Sequence, residues 1–297
     1  MVQELTRPTS LRRGAAPDTA FAFACTPHQE ALNTLLVAVA NGEGFMKITG
    51  EVGTGKTLLC RRFLAELDGE FVTAYLPNPY LDPLGLLLAL ADELRVAFDR
   101  DNDQHHLVKA LNHVLLDYAR AGKRVVVCLD EAQAMPLETL ESLRLLSNLE
   151  TEKRKLFQVV LFGQPELDAR LKHESVRQLQ QRITYHYHLS PLSRRETEYY
   201  VGHRLRVAGY VGDRLFYRSA MDALYRASAG VPRLVNVLAH KAMLTAYGEG
   251  RHYVSAAHVR KAVQDTPAAR SARSPLPVIS AALFVAVAAL AYWFGYR

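Results

Sequence analysis

One stretch of eight residues constrains the fold of this chain more than any other. It runs from Gly50 to Thr57 and reads G-x-x-x-x-G-K-T, a pattern in which glycine-rich backbone surrounds phosphate oxygens. An apolar run at residues 44–49 precedes it and helically spaced leucines follow it, which predicts a buried strand, a loop and a helix in that order. The N-terminus of such a helix attracts anions through its N–H groups and its dipole. The sequence therefore predicts an α/β chain with a phosphate-binding site.

The residues of this loop are expected to bind a nucleotide. Lys56 is expected to reach the β- and γ-phosphates, and the Thr57 hydroxyl is expected to ligate Mg²⁺. A glycine turn that matches the pattern by accident is the alternative, but the flanking strand and helix argue against it. The predicted nucleotide-binding residues of the loop are Gly50, Glu51, Val52, Gly53, Thr54, Gly55, Lys56, Thr57 and Leu58.

A second motif lies at the end of an unbroken apolar run. Residues 125–129 read as a central parallel strand that is buried on both faces, and Asp130 and Glu131 follow it directly. Asp130 is placed to hold Mg²⁺, directly or through water, and Glu131 is placed to polarise the attacking water as a general base. Carboxylates that merely start a helix are the alternative interpretation.

A third apolar run, at residues 156–163, ends at Gln164. Ligands of open α/β sheets bind at the carboxyl ends of the strands, so the Gln164 side chain could contact the γ-phosphate or the attacking water. An amide that starts a helix is the alternative interpretation of this residue.

The pattern of elements divides the chain into successive segments. Residues 1–20 are expected to form an irregular lead-in, and residues 21–190 a nucleotide-binding α/β domain with a five-stranded parallel sheet. From residue 191 to 266 the apolar spacing is helical only, which predicts a lid domain. One lid helix opens with Gly-Val-Pro-Arg and places Arg233 in its first turn, within reach of a nucleotide in the cleft between the domains.

The last segment has the composition of a membrane span. After a predicted linker at residues 267–277, residues 278–294 carry no charge. Their length is at the short end of the roughly 17–25 residues that cross a bilayer. Aromatic residues cluster at one end, and basic residues precede the segment, so the domains before it are expected in the cytoplasm. A buried C-terminal helix is the alternative.

Composition sets wider limits. The chain has 297 residues, of which 49% are hydrophobic, so it can bury one or two full cores. Its net charge of +6 permits contact with nucleic acid or anionic lipid but demonstrates neither. The three cysteines form no C-x-x-C pair and are typical of buried thiols in a reducing compartment, which disfavours metal-binding or redox roles for them.

These motifs resemble the AAA+ ATPases and, more narrowly, the general secretion pathway protein A (ExeA-type) family. The resemblance covers about residues 21–266. The nucleotide motifs are shared by many proteins, whereas the stretches at residues 75–80 and 162–167 are much more specific to this family. The stretches that carry the resemblance are residues 27–32, 50–61, 71–80, 123–133, 148–152, 158–167 and 206–210.

The resemblance assigns a role to each candidate site residue. Lys56 and Thr57 look like the Walker A pair, and Asp130 and Glu131 like Walker B. Gln164 matches the sensor 1 position and Arg233 resembles sensor 2. Arg182 resembles the arginine finger that completes the site of a neighbouring subunit, which implies a homo-oligomer. An ordinary arginine at a strand edge is the alternative for Arg182.

The resemblance implies a membrane-anchored AAA+ ATPase that uses ATP and Mg²⁺. Its expected role is to drive or regulate assembly of a type IV (MSHA-like) pilus or a type II secretion-like machine. The expected location is the inner membrane, with the ATPase domain in the cytoplasm, and the expected partners are inner-membrane assembly proteins and lipid. Longer family members carry a periplasmic peptidoglycan-binding domain, but this sequence ends at Arg297, so a peptidoglycan role is not expected.

Two other functions are compatible with the same motifs. The first is a DNA-associated regulatory ATPase of the transposition-regulator type, which shares the core and could use the positive charge. Such a regulator does not need the predicted membrane segment, so nucleic acid is not an expected partner. The second is a nucleotide-gated scaffold with little turnover, against which the predicted general base and arginine finger argue.

Overall fold

The structure, a computed structural model, describes residues 26–77, 80–97, 104–146, 150–151, 154–155 and 157–271. Its helices are α1 (Thr26–Ala40), α2 (Lys56–Glu66), α3 (Pro83–Glu93), α4 (Gln104–Arg120), α5 (Leu137–Leu146), α6 (Glu166–Leu171), α7 (Arg177–Arg182), α8 (Arg194–Val207), α9 (Arg218–Ser228), α10 (Pro232–Gly248), α11 (Ala256–Gln264) and α12 (Pro267–Ser271). Its strands are β1 (Phe45–Gly50), β2 (Phe71–Leu76), β3 (Arg124–Leu129), β4 (Glu150–Thr151), β5 (Arg154–Lys155), β6 (Phe157–Gly163) and β7 (Ile183–Leu189). Short 3₁₀ turns lie at Ala132–Ala134 and Glu174–Val176.

Five parallel strands form one sheet in the order β2-β3-β6-β1-β7. β1 and β6 are buried along their whole length, as unbroken apolar runs predict for strands that are covered on both faces. β7 lies at the edge of the sheet, and its residues alternate between half-buried and exposed. The predicted five-stranded parallel sheet is therefore confirmed. β4 and β5 form a separate antiparallel pair.

Apolar side chains cover the sheet on both faces. Along β3, Val125 and Val127 face the cluster that contains α3, α4 and α5, whereas Val126 and Cys128 face the cluster that contains α1 and α2. This alternation follows from the two-residue period of a strand. Phe63 of α2 is fully buried in the second cluster, and burying such a side chain contributes about 1.5–3 kcal/mol.

All five strands end at the same edge of the sheet because they are parallel. β1 ends at Gly50, which is aligned with Leu189 at the end of β7. β3 and β6 end at Leu129 and Gly163, and each is followed by a polar residue of the predicted site. The fold thus gathers segments that are distant in sequence along one edge.

The helices α8 to α12 surround an apolar cluster of their own. α8 begins with a capping box, in which the Ser193 hydroxyl accepts the N–H of Glu196 and the Glu196 carboxylate accepts the N–H of Ser193. The turn before α10 requires Gly230, because φ is +74° there and a Cβ would lie 1.9 Å from the carbonyl oxygen of Leu192. The α9–α10 turn therefore lies directly against the connection from β7 to α8.

Two predicted segments, the lead-in at residues 1–20 and the membrane span at residues 278–294, lie outside the described residues. α12 occupies the beginning of the predicted linker at residues 267–277. Within the ranges that the structure describes, no helix combines the length and the apolar character needed to cross a membrane. The domain boundary near residue 190 stays a prediction.

Candidate functional site

The predicted phosphate-binding loop joins the end of β1 to the start of α2. Gly53 and Gly55 have φ angles of 84° and 102°, which residues with side chains rarely adopt. Neither position has space for a side chain. A Cβ on Gly53 would lie 2.6 Å from the Cβ of Arg233, and one on Gly55 would lie 2.9 Å from Nε2 of His28. The glycines therefore also allow α1 and α10 to approach the loop.

Internal hydrogen bonds hold the loop in this shape. The Thr54 hydroxyl donates to the carbonyl of Glu51 at 2.8 Å, and Thr54 is fully buried. Nε2 of His28 lies 2.8 Å from the carbonyl oxygen of Thr54, and this nitrogen must carry the proton because a carbonyl only accepts. Burial lowers the pKa of His28, although the same hydrogen bond opposes the change. The sequence reasoning gave no role to His28.

Lys56 is the first residue of α2, and its ammonium group bends back onto the loop. Nζ donates to the carbonyl oxygens of Gly50 at 2.7 Å and Glu51 at 3.0 Å. The side chain is buried, and this burial lowers the pKa of Lys56 while the charges of Glu131 and Asp130 oppose the change. The ammonium group thus lies at the centre of the loop, where the motif predicts phosphate.

The structure brings Thr57 and Asp130 together. The Thr57 hydroxyl donates to Oδ2 of Asp130 at 2.6 Å, and the Tyr75 hydroxyl donates more weakly to the same oxygen at 3.4 Å. Burial raises the pKa of Asp130, and the hydrogen bonds from Thr57 and from the N–H of Glu131 oppose the rise. Burial and the nearby Asp130 raise the pKa of Tyr75 to about 12, so this hydroxyl keeps its proton as a donor. The sequence reasoning placed Tyr75 in a family-specific stretch but gave it no role.

Glu131 adopts a left-handed backbone conformation, with φ 53° and ψ 37°, at the start of the turn after β3. Nε2 of Gln133 donates to Oε2 of Glu131 at 2.6 Å, and Nε2 of Gln164 donates to the same oxygen at 3.1 Å. The predicted general base and the predicted sensor residue are therefore in direct contact. Gln133 was missed by the sequence reasoning, although it lies two residues after the acidic pair.

Arg233 lies in the first turn of α10, next to the phosphate-binding loop. Its backbone N–H donates to the carbonyl of Gly53 at 3.2 Å, and its side chain is exposed. The first turn of this helix is therefore attached to the loop through the main chain. The predicted proximity of Arg233 to the loop is seen in the structure, whereas contact with a nucleotide stays a prediction.

Arg182 does not join the other predicted residues. It is the last residue of α7, and Ile183 begins β7 at the amino end of the strand. β7 has seven residues, and its last residue is aligned with Gly50 of the loop. At about 3.3 Å per residue, the strand separates Arg182 from the loop of its own chain by roughly 20 Å. Arg182 therefore lies far from the loop of its own chain, and its role as an arginine finger stays a prediction.

The donor set suits a complex of Mg²⁺ with a nucleotide. Mg²⁺ prefers oxygen ligands and usually keeps several positions for phosphate and water. Because the Thr57 hydroxyl donates its hydrogen bond to Asp130, the lone pairs of Thr57 Oγ1 are available to a cation. In the part of the chain that the structure describes, no group of three or more His, Cys, Asp or Glu residues could hold a metal. The oxygen atoms of Thr57 and Asp130 fit a cation that takes its other ligands from phosphate and water.

An apolar cavity of about 580 Å³ lies within the helical cluster, away from this site. Val201 and Leu205 of α8 line it on one side, and Ala239 and Met243 of α10 on another. No residue of the phosphate-binding loop lines this cavity, so it is separate from the site described above.

Comparisons with known proteins agree with the motifs. A family described as an AAA domain matches residues 39–171. The chain is 39% identical over 282 residues to the general secretion pathway protein A of Aeromonas hydrophila. This alignment covers 95% of the chain and 51% of that protein, so the chain spans about half the length of this relative. The resemblance to general secretion pathway protein A that the motifs indicate is confirmed.

Solved structures share the fold. Cdc6p from Pyrobaculum aerophilum is 18% identical with a TM-score of 0.61, and the match covers 84% of this chain and 70% of that one. The ORC2 protein of Aeropyrum pernix, in ADPNP and ADP complexes, is 18% identical with a TM-score of 0.57, covering 83% and 70%. The Thermotoga maritima RuvB branch migration motor is 16% identical with a TM-score of 0.54, covering 80% and 67%. At this identity the likeness shows the α/β fold alone.

Proposed function

We propose that this chain, an AAA-domain relative of general secretion pathway protein A, hydrolyses ATP in a Mg²⁺-dependent reaction. The observation that carries the proposal is the 2.6 Å hydrogen bond between Thr57 and Asp130. It joins the residue after the loop lysine to the acid at the end of β3, and Glu131 follows as the next residue. The two motifs that phosphoryl transfer requires thus meet at one point.

The roles of the residues in this reaction follow from their positions. The N–H groups of the loop and the ammonium group of Lys56 bind the β- and γ-phosphates and offset their charge. Thr57 and Asp130 would hold Mg²⁺, which when bound neutralises charge on the phosphate oxygens. Glu131 accepts a proton from the attacking water as its oxygen bonds to the γ-phosphorus. The bond to the bridging oxygen breaks at the same time, and ADP leaves with that electron pair.

Arg182 supports an oligomeric form of the enzyme. It lies a strand length away from the loop of its own chain, and an arginine from a neighbour can stabilise the charge of the transition state. We propose that Arg182 enters the site of a second copy of this chain. An isolated protomer is then a slow ATPase.

The cellular role rests on the relative and on the C-terminal sequence. The relative is named as a protein of the general secretion pathway, and residues 278–294 of this chain carry no charge. We propose that the chain is anchored in the inner membrane with its ATPase domain in the cytoplasm. There it drives or regulates assembly of a type II secretion-like machine or a type IV pilus of the MSHA kind.

The test of the enzymatic proposal compares wild type with Glu131→Gln and Lys56→Ala in the full chain. We expect wild type to hydrolyse ATP, Glu131→Gln to bind ATP without turnover, and Lys56→Ala to lose binding. Equal turnover by wild type and Glu131→Gln would show that the chain is not an ATPase of this kind.

The test of the cellular role uses Glu131→Gln as a trap for the working complex. After cross-linking in cells, we expect pilus or secretion components to co-purify, and to be lost in a Lys56→Ala control. Recovery of DNA and a recombinase instead would support the regulatory-ATPase alternative. Deletion of residues 274–297 is expected to release the protein from membranes, and retention in the membrane fraction would contradict the anchor.

A further inference from the structure

Three side chains at the ends of β3 and β6 form one hydrogen-bond network. Gln133 and Gln164 both donate to Oε2 of Glu131, at 2.6 Å and 3.1 Å. Oε1 of Gln133 accepts the backbone N–H of Gln164 at 2.9 Å. All three residues are half-buried, and hydrogen bonds are stronger in such surroundings than in bulk water. One oxygen of the predicted general base is therefore held by two amides.

The amide of Gln133 has only one orientation that satisfies both partners. Its NH₂ group must face the carboxylate of Glu131, which only accepts, and its carbonyl must face the N–H of Gln164, which only donates. Rotation of the amide by half a turn would place donor against donor and acceptor against acceptor. A Cβ on Gly163 would lie 3.3 Å from Oε1 of Gln133, so a glycine at this position leaves space for the side-chain carbonyl of Gln133. Gln133 is thus anchored to the main chain at one end and to Glu131 at the other.

The two glutamines differ in how firmly they hold Glu131. Gln133 makes the shorter bond and is fixed by a backbone group, whereas Gln164 reaches Glu131 through a longer bond from its side chain. Gln164 is also the residue expected to contact the γ-phosphate, and its NH₂ group has a second N–H for that contact. Glu131 itself has a positive φ, a strained conformation that persists only when its surroundings enforce it.

We propose that Gln133 is the positioning residue that keeps the Glu131 carboxylate in place while Gln164 contacts the γ-phosphate. The inference rests on the proposed ATPase function. With Gln133 in place, one carboxylate oxygen stays fixed by an anchored amide and the other remains for the attacking water. Without Gln133, the base is held only by the longer bond from Gln164.

Two substitutions separate the positioning role from a merely structural one. Gln133→Leu keeps a similar volume but removes both hydrogen bonds, and misplacing a catalytic group by about 1 Å can cost roughly 100-fold in rate. We therefore expect kcat to fall by about that factor while KM for ATP stays within about twofold, because Gln133 does not contact the loop. Gln133→Glu keeps an acceptor for the N–H of Gln164 but places a second carboxylate against Glu131.

Gln133→Glu should change the pH profile of turnover. Two carboxylates in contact cannot both ionise easily, so they share a proton up to a higher pH. A general base that shares a proton cannot accept another. The acid limb of the plot of kcat against pH should therefore move to higher pH, by about one pH unit or more. Partial recovery of turnover is expected above that limb. An unmoved profile would show that the side chain at position 133 does not contact the Glu131 carboxylate.

The experiment measures ATP turnover with Mg²⁺ across about pH 5.5 to 9 for the full chain, together with binding of a fluorescent ATP analogue and thermal unfolding. Glu131→Gln tests the proposed function, and Gln264→Leu, at an exposed position that ends α11, is the matched control. Wild-type kcat and pH profile in both Gln133 variants, with Glu131→Gln inactive, would overturn the inference alone. An active Glu131→Gln would instead overturn the proposed function. If Gln133→Leu does not fold, the profile of Gln133→Glu decides, and an unmoved acid limb refutes the positioning role.

Discussion

The hydrogen bond from Thr57 to Asp130 is the contact on which the proposed metal site depends. Thr57→Val removes the hydroxyl and keeps the branched shape of the side chain. Asp130 is only 2% exposed, so bulk water does not replace the lost donor. Hydrogen bonds to charged groups contribute about 1.5–3 kcal/mol. Because Asp130 keeps the N–H of Glu131 and the Tyr75 hydroxyl, we expect a loss in folding free energy near the lower limit, about 1.5 kcal/mol.

The size of this loss should depend on pH. Burial raises the pKa of Asp130 and the Thr57 hydroxyl opposes the rise, so Thr57→Val should raise this pKa further. A protonated Asp130 depends less on the hydroxyl donor. The difference in stability between variant and wild type should therefore be complete at neutral and alkaline pH. It should shrink as the pH falls through the raised pKa of Asp130 in the variant.

Thermal unfolding of the nucleotide-free protein measures this effect. For domains of this size 1 kcal/mol shifts Tm by about 2–4 °C, so Thr57→Val should lower Tm at pH 8 by about 3–6 °C. Thr57→Ser keeps the hydroxyl and should remain close to wild type in both Tm and Mg²⁺ activation. In Thr57→Val the activation of turnover by Mg²⁺ should be lost. A Tm within about 1 °C of wild type, with full Mg²⁺ activation, would refute the assignment of this pair.

Three further changes test the site. Gly53→Ala places a Cβ 2.6 Å from the Cβ of Arg233, at a φ of +84°. Binding of a fluorescent ATP analogue should therefore weaken about tenfold. Gly69→Ala is the control, because a Cβ there lies in open space and should not change this binding. Arg182→Ala should preserve ATP binding but abolish the rise of specific activity with protein concentration, and a persistent rise would exclude the arginine as a finger. Asp130→Asn removes a buried carboxylate whose pKa is raised by burial, so the Tm of the nucleotide-free protein should not fall. Activation of turnover by Mg²⁺ should disappear in this variant, and retained activation would contradict the metal role.

Short-range patterns in the sequence were sufficient to predict the elements of the sheet but not their order. The unbroken apolar runs of β3 and β6 predicted strands covered on both faces, because a strand that is buried on both faces has apolar side chains at successive positions. The order β2-β3-β6-β1-β7 depends on which helices cover which face, and no single segment records that. Patterns along the chain therefore predict a parallel sheet, but they do not show that β6 lies between β3 and β1.

The candidate site divides in the same way. Lys56, Thr57, Asp130 and Glu131 were predictable because each occupies a fixed place in a motif, and parallel strand ends bring the motifs together. His28 contacts Thr54 from 26 residues away, and Tyr75 contacts Asp130 from 55 residues away. No spacing rule links such pairs, because the contact arises only when two separate elements pack.

Gln133 shows a different limit. It lies within the stretch that carried the resemblance, two residues after Glu131, so its position along the chain was known. What could not be known is that the left-handed backbone at Glu131 turns the chain so that the Gln133 amide faces the carboxylate. That conformation is uncommon for a residue with a side chain, and local propensity does not predict it.

The position of Lys56 affects the free energy of binding ATP. Its ammonium group is already buried and bonded to two loop carbonyls, so most of the cost of removing it from water is incurred on folding rather than on binding. Phosphate then gains the attraction of a charge that is already desolvated. The ammonium group has three N–H donors, and the carbonyls of Gly50 and Glu51 use two of them. The same loop bears the carbonyl of Gly53, which accepts the N–H of Arg233. The first turn of α10 is therefore attached to the loop by one backbone hydrogen bond, which does not involve the Arg233 side chain.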